Sequence, residues 1–158
     1  MASRLDYGAA SPGAIKAMYA LQRHVDACGL DPLLIELVKV RASQINGCAY
    51  CLDMHAKDAR ALGESEHRLY ALSAWREAPF YTERERAALA WTEALTLVAE
   101  DHVPDAVYEA VRPHFTDQEL ADLTLAIVLI NGWNRFAVAF RSEAGRYVSR
   151  KKPLMPRE

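Results

Sequence analysis

Residues 123–130 read LTLAIVLI, a run in which only Thr124 is polar. Upstream, Thr116 and Glu119 stand in the T-x-x-E pattern with which many helices open. The spacing therefore predicts one long helix over LADLTLAIVLINGWNRFAVAFR. A helix that is apolar on nearly every face is normally covered all round. In a chain of 158 residues other helices supply part of that cover. A second subunit is expected to supply the rest, so the chain is expected to form a homo-oligomer.

Elsewhere apolar residues also recur at helical rather than strand spacing, and the punctuation marks helix ends instead of hairpins. SPGAIKAMYALQRHVDACG carries Ile15, Met18, Tyr19, Gln22 and Val25 on one stripe and stops at Gly29. Asp31 and Pro32 cap and start a second helix, LLIELVKVRASQI, which Asn46 and Gly47 close. A third runs from about Gly47 to Leu62, with Gly63 as its left-handed stop. Ser65 and Glu66 begin another that reaches about Trp75 before Pro79. Thr82 and Glu85 repeat the capping pattern before AALAWTEALTLVA, and PDAVYEAVRPHF is a shorter helix entered through Pro104. The expected fold is all-α, a single domain over residues 1–158.

Composition narrows the function classes. Hydrophobic residues make up 51% and charged residues 25%, the balance of a soluble globular domain rather than a disordered chain. With 19 basic and 21 acidic side chains the net charge is −2, and no block of like charge appears, so neither nucleic acid nor an anionic membrane is an expected partner. The basic tail RKKPLMPRE is short, ends in acid and reads as a solvated terminus. MASRLDYGAASPG lacks the charged front and apolar run of a signal peptide, and no uninterrupted apolar stretch approaches about 18 residues. A cytoplasmic location is expected. In a reducing compartment three cysteines do not make a disulfide scaffold, and a close CxxC points to catalysis, redox chemistry or metal binding.

Residues 45–55, INGCAYCLDMH, hold that CxxC. At about 100° per residue, Cys48, Cys51 and His55 fall on one helix face. Helical residues three apart have Cα atoms about 5 to 6 Å apart, within disulfide range, so the cysteines can bridge without unfolding the helix. A structural zinc wants four protein ligands and no second Cys or His pair is present. A three-ligand zinc is strained by the two helical turns between Cys48 and His55. A thioredoxin site sits in a βαβ frame, which the helical spacing upstream does not provide. Redox chemistry on a helical frame remains, and Cys28 reads as a small packed hydrophobe.

Two arguments then pull apart. His55 lies one turn beyond Cys51, which nominates Cys51 as the thiol whose proton is removed. Cys48 is nearer the helix N-terminus, where the dipole favours a thiolate. Tyr50 shapes access to the pair or packs beside it. NGWNR, Asn131 to Arg135, either lines the site or packs, with Gly132 at a close helix contact and the two asparagines satisfying buried backbone. His24, His67, His102 and His114 have no matching partners and read as surface or structural.

The run ELVKVRASQINGCAYCLDMHAKDARALG resembles the core signature of the alkylhydroperoxidase D-like (AhpD-like) proteins of the carboxymuconolactone decarboxylase superfamily: a glutamate, then CxxC, then a histidine after three residues. Glu36, Cys48, Cys51 and His55 match it, within a motif core at about 31–63, and AIVLINGWNRFAVAFR resembles the same proteins' closing helices. The resemblance implies an all-helical bundle assembled as dimers, trimers or hexamers, and a thiol-dependent peroxidase that needs no metal or cofactor. It implies Cys51 as the attacking thiol, Cys48 as the resolving one, and Glu36 as the carboxylate that orients His55. The decarboxylase branch generally lacks the CxxC. A hydroperoxide substrate and an unidentified thiol reductant are the implied partners. The same four residues also suit a thiol–disulfide oxidoreductase acting on protein or lipoyl partners, or a non-enzymatic redox-sensing oligomer.

Overall fold

A computed structural model describes residues 2–154. Residue 1 and residues 155–158, the end of the basic tail, lie outside them. The described residues form helices and no strand: α1 (Tyr7–Ala10), α2 (Pro12–Ala27), α3 (Pro32–Ile45), α4 (Ala49–Leu62), α5 (Glu66–Ala71), α6 (Glu83–Thr96), α7 (Val98–Asp101), α8 (Asp105–Val111) and α9 (Asp117–Phe140), with short 3-10 turns after α5 and α8. The expected caps are present. Asp31 accepts from the Leu33 N–H, and Thr82 and Thr116 each complete a reciprocal capping box with Glu85 and Glu119.

Three segments depart from expectation. The helix after Gly63 tightens into a 3-10 turn at Leu72–Ala74 and does not reach Trp75. AALAWTEALTLVA is broken at Leu97, after which Val98–Asp101 makes a separate single turn. The one-turn helix α1 is too short to leave a period in the sequence; Asp6 caps it by accepting from Ala9 N–H.

The helix buried all round is α3. Every residue from Leu34 to Val40 is buried. Leu34, Ile35 and Val38 join the core with α2, α6 and α9; Leu37 and Val40 pack toward Leu69, Leu72 and Trp75; and Ala42 meets Cys48, Cys51, Ile130 and Ala137. Hydropathy hides this, because α3 carries Glu36 and Lys39 into the interior, where they pair with each other at 3.1 Å. The run 123–130 is mostly covered by its own chain; Thr124 and Leu125 are half-buried and Val128 is 55% exposed. By length and composition alone α9 would also suit a membrane span; here it packs on α2, α3, α4 and α6.

Residues 141–154 have no helix and lie over α4. Gly145 N–H donates to Asp53 at 3.1 Å, Lys57 Nζ to the Tyr147 carbonyl at 2.9 Å, and Leu154 N–H to the Leu62 carbonyl at 3.2 Å. Residues 150–154 of the basic tail are exposed, in line with a solvated terminus. At the other end of the chain, Arg4 donates from its backbone N–H to the Phe140 carbonyl and from Nη1 to the Ala139 carbonyl, which ties the N-terminal segment to the end of α9. Replacing the cap at the start of α9 tests its contribution: Thr116→Ala should lower stability by about 1 kcal/mol, read as a lower urea midpoint with an unchanged slope.

Candidate active site

The site is organised by the junction between α3 and α4. Gly47 has φ 63°, a conformation that costs a residue with a Cβ about 1 kcal/mol or more. It lets Gly47 N–H reach the Gln44 carbonyl at 3.3 Å and Cys48 N–H reach the Ser43 carbonyl at 3.0 Å, the two bonds of a Schellman closure. Cys48 thereby leaves α3 and at once becomes the N-cap of α4, where its sulfur accepts from the Cys51 N–H at 3.4 Å. Cys51 follows within the first turn, its sulfur 2.6 Å from that of Cys48. Both are thiols, and both are 1% exposed.

His55 is one turn further along α4 and buried. Its Nδ1 lies 2.8 Å from Glu36 Oε2 across the α3–α4 interface. A carboxylate there accepts a hydrogen bond from Nδ1–H, which leaves Nε2 as the ring nitrogen available to the site. Glu36 is buried, which pushes its pKa up, but the hydrogen bond and charge of His55, with Lys39 Nζ behind them, win and bring it down to about 2. The four residues singled out in the sequence, Glu36, Cys48, Cys51 and His55, thus come together.

Cys51, His55 and Glu36 border a cavity of about 470 Å³; Cys48 does not. Its apolar walls come from α1, α2, α4 and α9, including Tyr7, Ile15, Tyr19, Met54 and Trp133. Ile15, Tyr19 and Gln22, read in the sequence as part of one packing stripe, therefore line the cavity, while Met18 and Val25 serve the core. Tyr50 borders the cavity and packs on the cysteine cluster.

The sulfurs differ electrostatically. Cys48 is brought down to about 7, first by the hydrogen bond from Cys51, against the opposing effect of burial, and further by the Cys51 N–H and the Asn134 amide. Cys51 is pushed well above the usual thiol range, first because its proton is held by Cys48, then by burial and by the charge on Cys48. The proton shared between the two sulfurs, more than the helix terminus, sets this difference. Cavity access points to Cys51.

Sequence reasoning passed over several neighbours. Lys39, one turn from Glu36, is buried and borders the cavity. Asp58, one turn from His55, is also buried and accepts from the hydroxyls of Tyr147 at 2.8 Å and Ser149 at 2.5 Å. Helical periodicity from Glu36 and His55 is the signal that could have found both; nothing local points to Tyr147 and Ser149. In NGWNR, Asn131 donates to the Ile127 carbonyl as expected, but Asn134 bonds side chains, Ser43 and Asn46, and not backbone. A Cβ on Gly132 would come 2.9 Å from Met18 Cε, so the close helix contact is real. Cys28 packs against the core and donates its S–H to the Val25 carbonyl; His24 pairs with Asp122 at 2.7 Å.

Among the described residues, Glu36, His55 and Asp58 bring ligand atoms within 4.8 Å of one another, close enough for a metal ion. Their carboxylates are already engaged, Glu36 by the Lys39 ammonium and Asp58 by two hydroxyls. The ammonium supplies the positive charge that an ion would bring, and the thiolates that favour zinc lie outside the group.

The carboxymuconolactone decarboxylase family model matches residues 12–94, a span that runs from α2 through the whole cysteine motif into α6. YdfG of Bacillus subtilis strain 168 is 41% identical over 144 residues, covering 91% of this chain and 98% of that protein. A protein of unknown function from Agrobacterium tumefaciens, provisionally described as the antioxidant defence protein AhpD, superposes with a TM-score of 0.89 at 49% identity, over 92% of this chain and 100% of that one. A peroxidase-related protein from Silicibacter sp. TM1040 gives 0.73 at 27% identity, over 83% and 70%. The chain is an AhpD-like member of the carboxymuconolactone decarboxylase family, and its fold is the AhpD-like helical one.

The buried Glu36 carries a stability signature with a definite sign. Its folded pKa of about 2 lies below the ordinary carboxyl value of 4.5, so its contribution is complete above about pH 4.5 and is lost as pH falls toward 2. The size is roughly 3 kcal/mol at about 1.4 kcal/mol per pH unit. Glu36→Gln should therefore lower stability at pH 7 by roughly 3 kcal/mol, since Lys39 is left buried and uncompensated. The gap from wild type should narrow on acidification, as measured by urea unfolding at pH 7 and pH 3.

Proposed function

We propose that this protein is a thiol-dependent peroxidase that reduces organic hydroperoxides through the Cys48–Cys51 pair. The observation that carries the reading is that Cys51 opens onto an apolar cavity beside His55 while its sulfur touches that of Cys48. The relatives described as antioxidant and peroxidase-related support it.

Charge favours one sulfur and access the other, and the contact between them reconciles the two. With the hydroperoxide in the cavity, the Cys51 proton crosses to the Cys48 thiolate and the Cys51 sulfur attacks the terminal oxygen. The S–O bond forms as the O–O bond breaks; sulfur is oxidised, and the alkoxide leaves as the alcohol by taking the proton held on Cys48, relayed through Nε2 of His55, which Glu36 keeps oriented. Cys48, again deprotonated, attacks the sulfenic sulfur. An S–S bond forms and the hydroxyl departs as water with a proton from solvent. A dithiol from outside then returns both cysteines to thiols.

Exchange with a protein disulfide is disfavoured because both sulfurs are 1% exposed and Cys51 is reached through the cavity, which suits a small dithiol better than a disulfide carried on a protein. A non-enzymatic redox sensor would consume one equivalent of peroxide and stop. Turnover of cumene hydroperoxide with a dithiol separates these readings. Cys51→Ser should abolish turnover, Cys48→Ser should stop after one equivalent with a sulfenic acid trapped on Cys51, and His55→Gln should slow turnover about 100-fold or more. Full activity in Cys51→Ser sinks the role assignment, and stoichiometric consumption by the wild type sinks the enzyme.

Homo-oligomerisation and a cytoplasmic location complete the reading. Val128 and Val138 on α9 are 55% and 50% exposed, apolar surface that a second copy would cover. Light scattering at micromolar concentration should give a multiple of the 17.7 kDa chain mass; a monomer rejects the oligomer.

A further inference from the structure

Asp58, 5% exposed, lies one turn beyond His55 on α4 and borders the cavity. An oxygen of its carboxylate, one of Glu36 and a ring nitrogen of His55 lie within 4.8 Å of one another. The carboxylate is held by one oxygen only. Tyr147 Oη donates to Oδ1 at 2.8 Å, and Ser149 Oγ donates to the same oxygen at 2.5 Å. Lys57 Nζ, on the Tyr147 carbonyl at 2.9 Å, fixes the segment that carries both hydroxyls.

Oδ2 of Asp58 accepts from no described residue. Among those residues no buried side-chain oxygen or nitrogen is left without a partner, so Oδ2 faces open space, and the space that Asp58 borders is the cavity. The other carboxylates around the cavity are spoken for. Glu36 takes Lys39 on one oxygen and His55 on the other, while Asp6 and Asp26 are exposed and accept from Ala9 N–H and Gln22 Nε2. A carboxylate oxygen can only accept, and keeping one without a donor against apolar walls is unfavourable. A ligand that brings a donor offsets that cost.

A hydroperoxide carries a single O–H, on its terminal oxygen, which is the oxygen that a thiolate attacks. We propose that Asp58 Oδ2 receives the O–H of the molecule bound in the cavity, which makes Asp58 a catalytic residue and makes Tyr147 and Ser149 the positioning residues that turn its free oxygen inward. The proposal rests on the peroxidase reading and deepens it: the cavity takes apolar molecules that carry a hydroxyl donor. The O–H bond is not broken. As the S–O bond forms and the O–O bond breaks, the hydroxyl passes to sulfur as the sulfenic acid with its proton still directed at Oδ2, while the alkyl oxygen takes its proton from His55. An ether or a dialkyl peroxide sets lone pairs against Oδ2 and is disfavoured.

The test is calorimetric titration of the full chain with two unreactive probes of nearly one shape, cumyl alcohol and its methyl ether. Wild type should bind the alcohol at least about tenfold more tightly, as a hydrogen bond to a charged group allows. Asp58→Asn keeps the oxygen that both hydroxyls need and so places the amide nitrogen where Oδ2 was. An amide donates to an alcohol or an ether oxygen alike, and the preference should vanish. Asp53→Asn loosens the same segment at Gly145 without bordering the cavity and should keep the wild-type preference. Equal affinity of wild type for the two probes overturns the proposal, as does a wild-type preference in folded Asp58→Asn or its loss in Asp53→Asn. Should Asp58→Asn lose the wild-type circular dichroism, Tyr147→Phe, which releases one hold on Oδ1, decides by the same criterion. Neither probe is a peroxide, so an alcohol preference that Asp58→Asn removes, in a protein that never turns over hydroperoxide, would reject the peroxidase and leave the acceptor standing. Turnover of cumene hydroperoxide by folded Asp58→Asn at the wild-type kcat/KM would leave the peroxidase and overturn the acceptor.

Discussion

Gly47 takes a left-handed conformation between α3 and α4, and the chain reverses its local course there with the Ala42, Ser43 and Gln44 carbonyls of α3 still satisfied. Cys48 is consequently the last residue of one helix closure and the cap of the next helix. Its sulfur takes the position that a serine or aspartate oxygen occupies at most helix starts. Cys51 and His55 then follow at one-turn intervals on the face that α3 covers. The reactive atoms are thus positioned by main-chain geometry, and the side chains around them need only finish the job.

Finishing it requires burying charge. Glu36 and Lys39 go into the interior of α3 as a pair, and Glu36 spends its second oxygen on His55. A lone carboxylate in that position would be neutralised or expelled; with two partners it stays ionised and holds the imidazole in one tautomer. Asp58 is held in the same way by Tyr147 and Ser149 from the chain's last described stretch. The cluster is therefore assembled from α3, α4 and a segment some ninety residues away. On the proposed reading this arrangement lets charge and access sit on different sulfurs, with a proton moving between them.

Much of this was legible in the sequence. Caps at Asp31, Thr82 and Thr116 and stops at Gly47 and Gly63 are local chemistry, in which the deciding hydrogen bonds span a few residues. The one-face arrangement of Cys48, Cys51 and His55 is equally local, because helical periodicity alone produces it. The break at Leu97 and the 3-10 turn at Leu72–Ala74 were not legible: apolar spacing there continues past the point where packing ends the helix. Hydropathy also passed over α3 as a helix buried all round. It weighs residues singly, and so treats Glu36 and Lys39 as exposed when their mutual pairing is what permits their burial.

By itself, then, the sequence determined an all-helical chain, the helix boundaries near the motif, and four residues whose types and spacing belong to thiol redox chemistry. Tertiary structure alone decided that Glu36 meets His55, that Cys51 and not Cys48 borders a cavity, and that Ile130 and Ala137 from α9 pack with the two cysteines. The physical reason is range. Helix formation and capping are settled by groups within about one turn of each other, whereas burial, charge pairing and access depend on which distant surfaces the folded chain brings into contact.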